Sequence, residues 1–370
     1  MMRTLWLSLV LGCAAKDLDT AEVSESTGAP NPMDWSVHEP GPFSTGFQSW
    51  DVTYRPVEDG VERTVQLNLW YPTDDESGPA AEYSVGIDAE SVANAEPSAP
   101  VHEGGFPVHA YSHGFRGYGE ASAFISRYLA SHGWVTVAPN HTNNTIMDHE
   151  DPLPSAHYYH RPLDVRAVLD ALEALPEDHP LAGQLRTDKV VLSGHSFGAY
   201  TTWAALGAGY DLTNVAEMCA TGEGIHDDGC TPEEEAVFAT DLSDERVVAS
   251  LPMAGTLRRT WFGDQGEASV NGPVLFMGGT NDDVGQAAQF DEMGAIDFTW
   301  MEIDGGCHQT FALGSCGTLD REEGFGIVQT VALAWARHTI LDDQSGPTMS
   351  ILTGEYSFSD LVVTQATSSE

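Results

Sequence analysis

Lys189-Val190-Val191-Leu192-Ser193-Gly194-His195-Ser196-Phe197-Gly198 is the stretch that decides the architecture of this chain. Its opening residues form the short apolar run of a buried strand, and the residues after Phe197 read as a helix. Between them a serine stands in a Gly-x-Ser-x-Gly frame. A strand that turns this sharply into a helix has no room for side chains flanking the serine, hence Gly194 and Gly198. Such a turn lifts the Ser196 hydroxyl above the sheet. It also aims the Phe197 amide, at the positive end of the helix, toward the place where negative charge would develop. The pattern by itself also occurs as a structural turn with an idle serine; the strand-to-helix context argues for a nucleophile.

The same alternation extends both ways. Trp50 to Tyr54 and Thr64 to Tyr71 alternate apolar and polar residues, as half-buried strands do. Residues 73–105 are rich in Gly, Pro, Ser and acids and read as a loop. Strands follow at Phe106 to Tyr111 and Trp134 to Pro139, separated by a helix from Ala121 to Ser131 that Gly133 closes. Pro162 fits the first turn of a helix whose apolar stripe is Val165, Val168, Leu169 and Leu172. Further strands read at Leu251 to Ala254, Pro273 to Met277 and Phe298 to Ile303, with a last helix over about 325–340. Two opening strands and then this alternation predict an α/β fold: a mostly parallel central sheet with helices on both faces. Residues 208–245 break the pattern and read as an insertion, most simply a solvated loop pinned by one disulfide. Residues 343–370 read as a polar tail with one strand-like piece, Met349 to Leu352.

A serine hydroxyl is a poor nucleophile until a base takes its proton, and the base must be oriented by a carboxylate. After the strand ending at Met277 comes Gly278-Gly279-Thr280-Asn281-Asp282-Asp283, and after Ile303 comes Gly305-Gly306-Cys307-His308. Both lie at strand C-terminal ends, where α/β sites are built. His308 is the expected base and Asp282 the expected acid, with Asp283 as the alternative. A second oxyanion donor is expected from the Phe115 amide, because Gly114 in Ser112-His113-Gly114-Phe115 permits close approach. His113 is expected to hold that loop by hydrogen bonds. Phe115, Tyr118 and Phe197 suggest a modest apolar acyl pocket.

The first dozen residues have the shape of an export signal: Arg3, the apolar run Leu5 to Leu11, then Gly12-Cys13. Val10-Leu11-Gly12-Cys13 resembles a bacterial lipobox, so residues 1–12 are expected as a lipoprotein-type signal peptide with Cys13 lipidated. Residues 13–45 then read as a disordered acidic tether, and 46–342 as the folded domain. Cys219, Cys230, Cys307 and Cys316 suggest two short-loop disulfides, although three pairings exist. His141, His149, His157 and His160 cluster with Asp148, Glu150 and Asp151. Their irregular spacing favours a polar loop over a metal site, and no metal or cofactor is expected. With 15 Lys+Arg against 56 Asp+Glu, a net charge of -41 argues against nucleic acid and against docking on anionic lipid. Membrane contact is expected only through Cys13, and oligomeric state is left open.

Ser112-His113-Gly114-Phe115, Leu129 to Val135, Ala138 to His141, Arg161 to Arg166, the Gly194–Gly198 elbow, Gly279 to Asp282 and Gly306 to His308 together resemble the platelet-activating-factor acetylhydrolase and dienelactone-hydrolase-like families. The resemblance covers roughly residues 50–340. It implies an α/β-hydrolase fold and a metal-independent carboxylic-ester hydrolase with Ser196, Asp282 and His308 as triad and Phe115 with Phe197 as oxyanion hole. The modest apolar pocket suggested by Phe115, Tyr118 and Phe197 ranks short-chain or phospholipid-derived acyl esters above long triglycerides. Related polyester-degrading, cutinase-like enzymes usually carry Met where Phe197 stands. A serine peptidase of the same fold and a non-catalytic envelope binding protein are the other readings.

Overall fold

A computed structural model describes residues 31–57, 60–221, 229–284, 286–294, 296–355 and 358–367. The signal peptide, Cys13 and most of the tether expected over residues 13–45 lie outside them. In chain order the strands are β1 (Ser44–Tyr54), β2 (Arg63–Thr73), β3 (Ala80–Glu82), β4 (Ile87–Ala93), β5 (Phe106–Ser112), β6 (Val135–Asn140), β7 (Leu185–His195), β8 (Val247–Met253), β9 (Val274–Gly279), β10 (Phe298–Ile303) and β11 (Val362–Thr367). The helices are α1 (Ala123–Ser131), α2 (His157–Glu173), α3 (Phe197–Leu206), α4 (Leu212–Thr221), α5 (Pro232–Val237), α6 (Arg259–Phe262), α7 (Ala287–Glu292), α8 (Arg321–Leu341) and α9 (Gly346–Thr353).

All strands join one sheet in the order β11-β10-β9-β8-β7-β5-β6-β2-β1-β4-β3. From β5 to β10 the pairing is parallel, and β2 and β11 flank that block antiparallel. The chain leaves β5 through α1 to β6 on one side, then crosses by α2 to β7 on the other. Strand order therefore reverses at β5, opening a crevice at the C-terminal ends of β5 and β7.

Because successive residues of a strand face opposite ways, each central strand feeds two cores. Val190 and Leu192 pack with Val168, Leu169 and Trp203 of α2 and α3. Val191, between them, packs with Leu129 of α1 and Val331 of α8. Every residue of α3 is buried, which explains why it is apolar all round rather than striped.

Four segments depart from the sequence reading. Residues 32–43 are docked, not tethering: Val37 is buried, the Tyr128 hydroxyl donates to its carbonyl, and Arg337 donates to the carbonyls of Pro32 and Trp35. The stretch read as a loop over 73–105 supplies β3 and β4. They are the last two strands at one end of the sheet, with only Ala81 and Ser91 buried, and so need few apolar residues. The described part of the insertion includes two helices, α4, whose Cys219 is bridged to Cys230 just ahead of α5, and α5, opened by a Thr231–Glu234 capping box. In the tail, Met349 to Leu352 lie in α9, started at Pro347 and stopped by Gly354 at φ 72°. Beyond it β11 adds to the sheet edge. No described helix is long and apolar enough to cross a membrane.

Candidate active site

At the tip of β7, Ser196 has φ 57° and ψ -113°, a strained conformation for a residue with a side chain. Its neighbours leave no alternative. A Cβ on Gly198 would sit 1.9 Å from the Ser112 carbonyl oxygen, and one on Gly194 would sit 2.2 Å from that of Gly198. The Ser196 amide is tied to the Met253 carbonyl at 2.8 Å, so β8 braces the turn from the side.

Asp282 and His308 come from the loops after β9 and β10. His308 opens a short 3-10 turn beside the Cys307–Cys316 disulfide. Its Nε2 lies 2.9 Å from Ser196 Oγ, and its Nδ1 lies 3.0 Å from Asp282 Oδ2. A carboxylate only accepts, so Nδ1 carries the proton and Nε2 keeps the lone pair that faces the hydroxyl. The Asp282 side chain is 2% exposed and that of His308 33% exposed. Gln286 Nε2 donates to the same Asp282 oxygen at 2.7 Å, whereas Asp283 is exposed. His195 is buried and its Nε2 donates to the His308 carbonyl at 2.8 Å, holding the backbone of that loop. Burial, then the neighbouring His308, lowers the His195 pKa to about 3.

The β5 loop closes the other side. A Cβ on Gly114 would lie 3.1 Å from Ser196 Cβ, so glycine permits the contact. His113 accepts from the His141 amide through Nε2 at 3.0 Å, which makes Nδ1 the donor to the Gly114 carbonyl at 2.7 Å. In a trans peptide that carbonyl and the Phe115 N–H point opposite ways. Fixing one therefore aims the other. Phe197, the first residue of α3, presents one of the helix N–H groups that has no intrahelical acceptor.

Behind this loop is a buried polar network. Asp164 accepts from Arg63 at 2.7 and 2.9 Å, from the Tyr54 hydroxyl at 2.6 Å and from His141 Nδ1 at 2.8 Å. Burial alone would raise its pKa; Arg63 and these hydrogen bonds override that and hold it far below the usual carboxylate range. His141 Nε2 reaches Ser112 Oγ at 2.9 Å. Burial, then Arg161, lowers the His141 pKa to about 3, so its ring is neutral.

Two expectations change. The Phe197 ring is buried, 5.0 Å from Tyr158 and beneath Arg161, so it does not line an open acyl pocket. Pro162 lies in the second turn of α2, not the first. Lacking an N–H, it leaves the Tyr158 carbonyl to accept the Tyr200 hydroxyl at 2.8 Å. Of the histidines near 141–160, His141 is spent on Ser112 and Asp164, and among the described residues no three ligand side chains converge on a metal position. Sequence reasoning missed Arg63, Tyr54, Gln286 and the role of His195. The partners of Arg63, Tyr54 and His195 lie 101, 110 and 113 residues away in the chain, and no local motif marks them; Gln286 lies only four residues from Asp282, in a loop without a distinguishing pattern.

A nucleophile turn on the central strand, with carboxylate and imidazole following in that chain order on later strand ends, is the arrangement of the α/β-hydrolase fold. The model of the family described as Chlorophyllase matches residues 79–219, a span that includes Ser196 but neither Asp282 nor His308. The solved structure of a ferulic acid esterase from Streptomyces cinnamoneus matches with a TM-score of 0.62 and 17% identity, over 89% of this chain and 99% of that one. At that identity the likeness is one of fold. No curated protein matches. Fold and family match place the chain in the α/β-hydrolase superfamily and indicate an esterase-type hydrolase.

Proposed function

We propose that the protein hydrolyses carboxylic esters through an acyl-enzyme, with Ser196 as nucleophile, His308 as base and Asp282 as its orienting acid. The observation that carries this reading is the position of His308, within hydrogen-bond reach of both Ser196 and Asp282. His308 Nε2 takes the hydroxyl proton as Ser196 Oγ adds to the ester carbonyl. The Phe115 and Phe197 amides hold the resulting oxyanion, and Asp282 stabilises the imidazolium. Nε2 then returns the proton to the departing alcohol. A water molecule, deprotonated by the same imidazole, adds to the acyl carbonyl and frees Ser196 and the acid.

Short-chain or phospholipid-derived acyl esters are the proposed substrates, in keeping with the resemblance to platelet-activating-factor acetylhydrolases. Two disulfides fit an oxidising compartment outside the cytoplasm, and the Val10 to Cys13 motif supports anchoring through a lipidated Cys13. A fluorophosphonate probe is expected to label the wild-type protein and to leave Ser196→Ala and His308→Ala unlabelled. Undiminished labelling of Ser196→Ala would remove the nucleophile assignment. Hydrolysis rates across p-nitrophenyl esters from acetyl to palmitoyl, with an oxidised phospholipid beside them, test the acyl range. A rate that climbs with chain length contradicts the short-chain reading.

A further inference from the structure

We infer that Arg161 is a positioning residue for the oxyanion site, fixing the β5 loop against α3 and placing a buried positive charge behind the Phe115 and Phe197 amides. The inference rests on the reading of Ser196, His308 and Asp282 given above. Arg161 is completely buried. Its Nη2 donates to the His113 carbonyl and to Ser112 Oγ (3.3 Å), both at the end of β5. Nε donates to Thr201 Oγ1 of α3 at 3.1 Å, and Nη1 donates to Asn144 Oδ1. The guanidinium lies 4.5 Å over the Phe197 ring. One side chain thus ties the end of β5, two residues before Phe115, to α3 and the Phe197 ring.

None of these acceptors is a carboxylate. Asp164, one helical turn on, commits its oxygens to Arg63, Tyr54 and His141. A cation neutralised by a touching carboxylate acts only as a short-range dipole. One held by neutral acceptors in a low-dielectric interior keeps its field over several ångströms. Burial lowers the guanidinium pKa to about 9, with Asp164 opposing the shift, so the charge persists at neutral pH. The developing oxyanion lies within range of that field; the neutral ester in the ground state gains little from it. The effect therefore falls on kcat rather than KM.

The test compares Arg161→Met, which removes the charge, with Arg161→Lys, which keeps it. Rates on p-nitrophenyl acetate are normalised to sites titrated with the fluorophosphonate. A trifluoromethyl ketone, whose serine adduct carries the oxyanion, gives a second readout. In Arg161→Met kcat is expected to fall by about tenfold to a hundredfold with KM within about threefold, and ketone affinity to fall in parallel. Arg161→Lys is expected to recover part of both. Ketone affinity and kcat within threefold of wild type in folded Arg161→Met overturn the inference. If Arg161→Met does not fold, Arg161→Gln, which removes the charge but keeps hydrogen-bond donors, takes its place: weaker ketone binding at unchanged KM supports the inference, and unchanged ketone binding overturns it. Ser196→Ala and His308→Ala run alongside. Full activity in either sinks the triad reading itself, whatever Arg161 does.

Discussion

Ser196 and the Ser112 to Phe115 loop stand on the central strands β7 and β5, whereas Asp282 and His308 stand on loops after β9 and β10, nearer one sheet edge. The first pair is backed by the buried network of Asp164, Arg63, His141 and Arg161. The second is held by fewer ties: Gln286 on Asp282, His195 on the His308 backbone, and the Cys307–Cys316 disulfide. Groups that only present fixed dipoles lose nothing by burial, provided every polar atom is paired. In the proposed mechanism His308 passes a proton to the departing alcohol and takes one from water, which needs partial exposure, and its side chain has it. Under the proposed mechanism the contrast puts rigidity where charge would develop and access where protons would move.

Removing the centre of the buried network should have the largest effect. Asp164→Asn leaves Arg63 unpaired in the interior and is expected to cost about 3–5 kcal/mol of unfolding free energy, measured by urea titration. A loss below about 1 kcal/mol would mean that the network does not support the nucleophile half.

The acid–base half should respond differently. Replacing both Cys307 and Cys316 by serine opens a short loop, and the chain-entropy model gives a loss of about 2–3 kcal/mol. The sharper signature is kinetic. Because His308 adjoins Cys307, kcat should fall by about tenfold or more while the fluorophosphonate still finds Ser196. Unchanged kcat would separate the disulfide from the site and weaken the contrast.

Acid supplies the smallest and most graded probe. His109, buried on β5 with Nε2 2.8 Å from Ser193 Oγ, has its pKa lowered to about 3 by burial. A histidine whose folded pKa is depressed stabilises the fold above its unfolded pKa of about 6.5, and that contribution is lost as pH falls toward the folded value. Between pH 6.5 and 5 this single group is expected to remove about 2 kcal/mol. His109→Gln should flatten the slope of stability against pH by about one proton. A slope that does not change would show that His109 is protonated inside the fold.

Much of the site is legible in the chain because its parts are local. The glycines around Ser196 mark a turn that only small residues can make, and the Gly279 to Asp282 and Gly305 to His308 loops each follow an apolar run. The network behind them is not legible. Arg63 lies 101 residues from Asp164, and a lone arginine at the start of a strand carries no sign of what it will meet. Phe197 misled for a related reason: an aromatic beside a nucleophile reads as pocket lining, yet α3 is buried on all sides and turns that ring inward. The piece from Met349 to Leu352 is too short for periodicity to separate strand from helix; Pro347 and Gly354, which bound it, were the better signals.

From its order of residues alone the chain determined the alternating α/β architecture, the sharp turn at Ser196 and the loops that hold Asp282 and His308. These depend on backbone sterics and on burial patterns that span only a few residues. Tertiary structure decided which oxygen meets which nitrogen: that Asp282 rather than Asp283 faces the imidazole, and that Arg161 lies under the β5 loop. Such pairings follow from the order and twist of strands in the sheet, which bring together side chains that no local pattern relates.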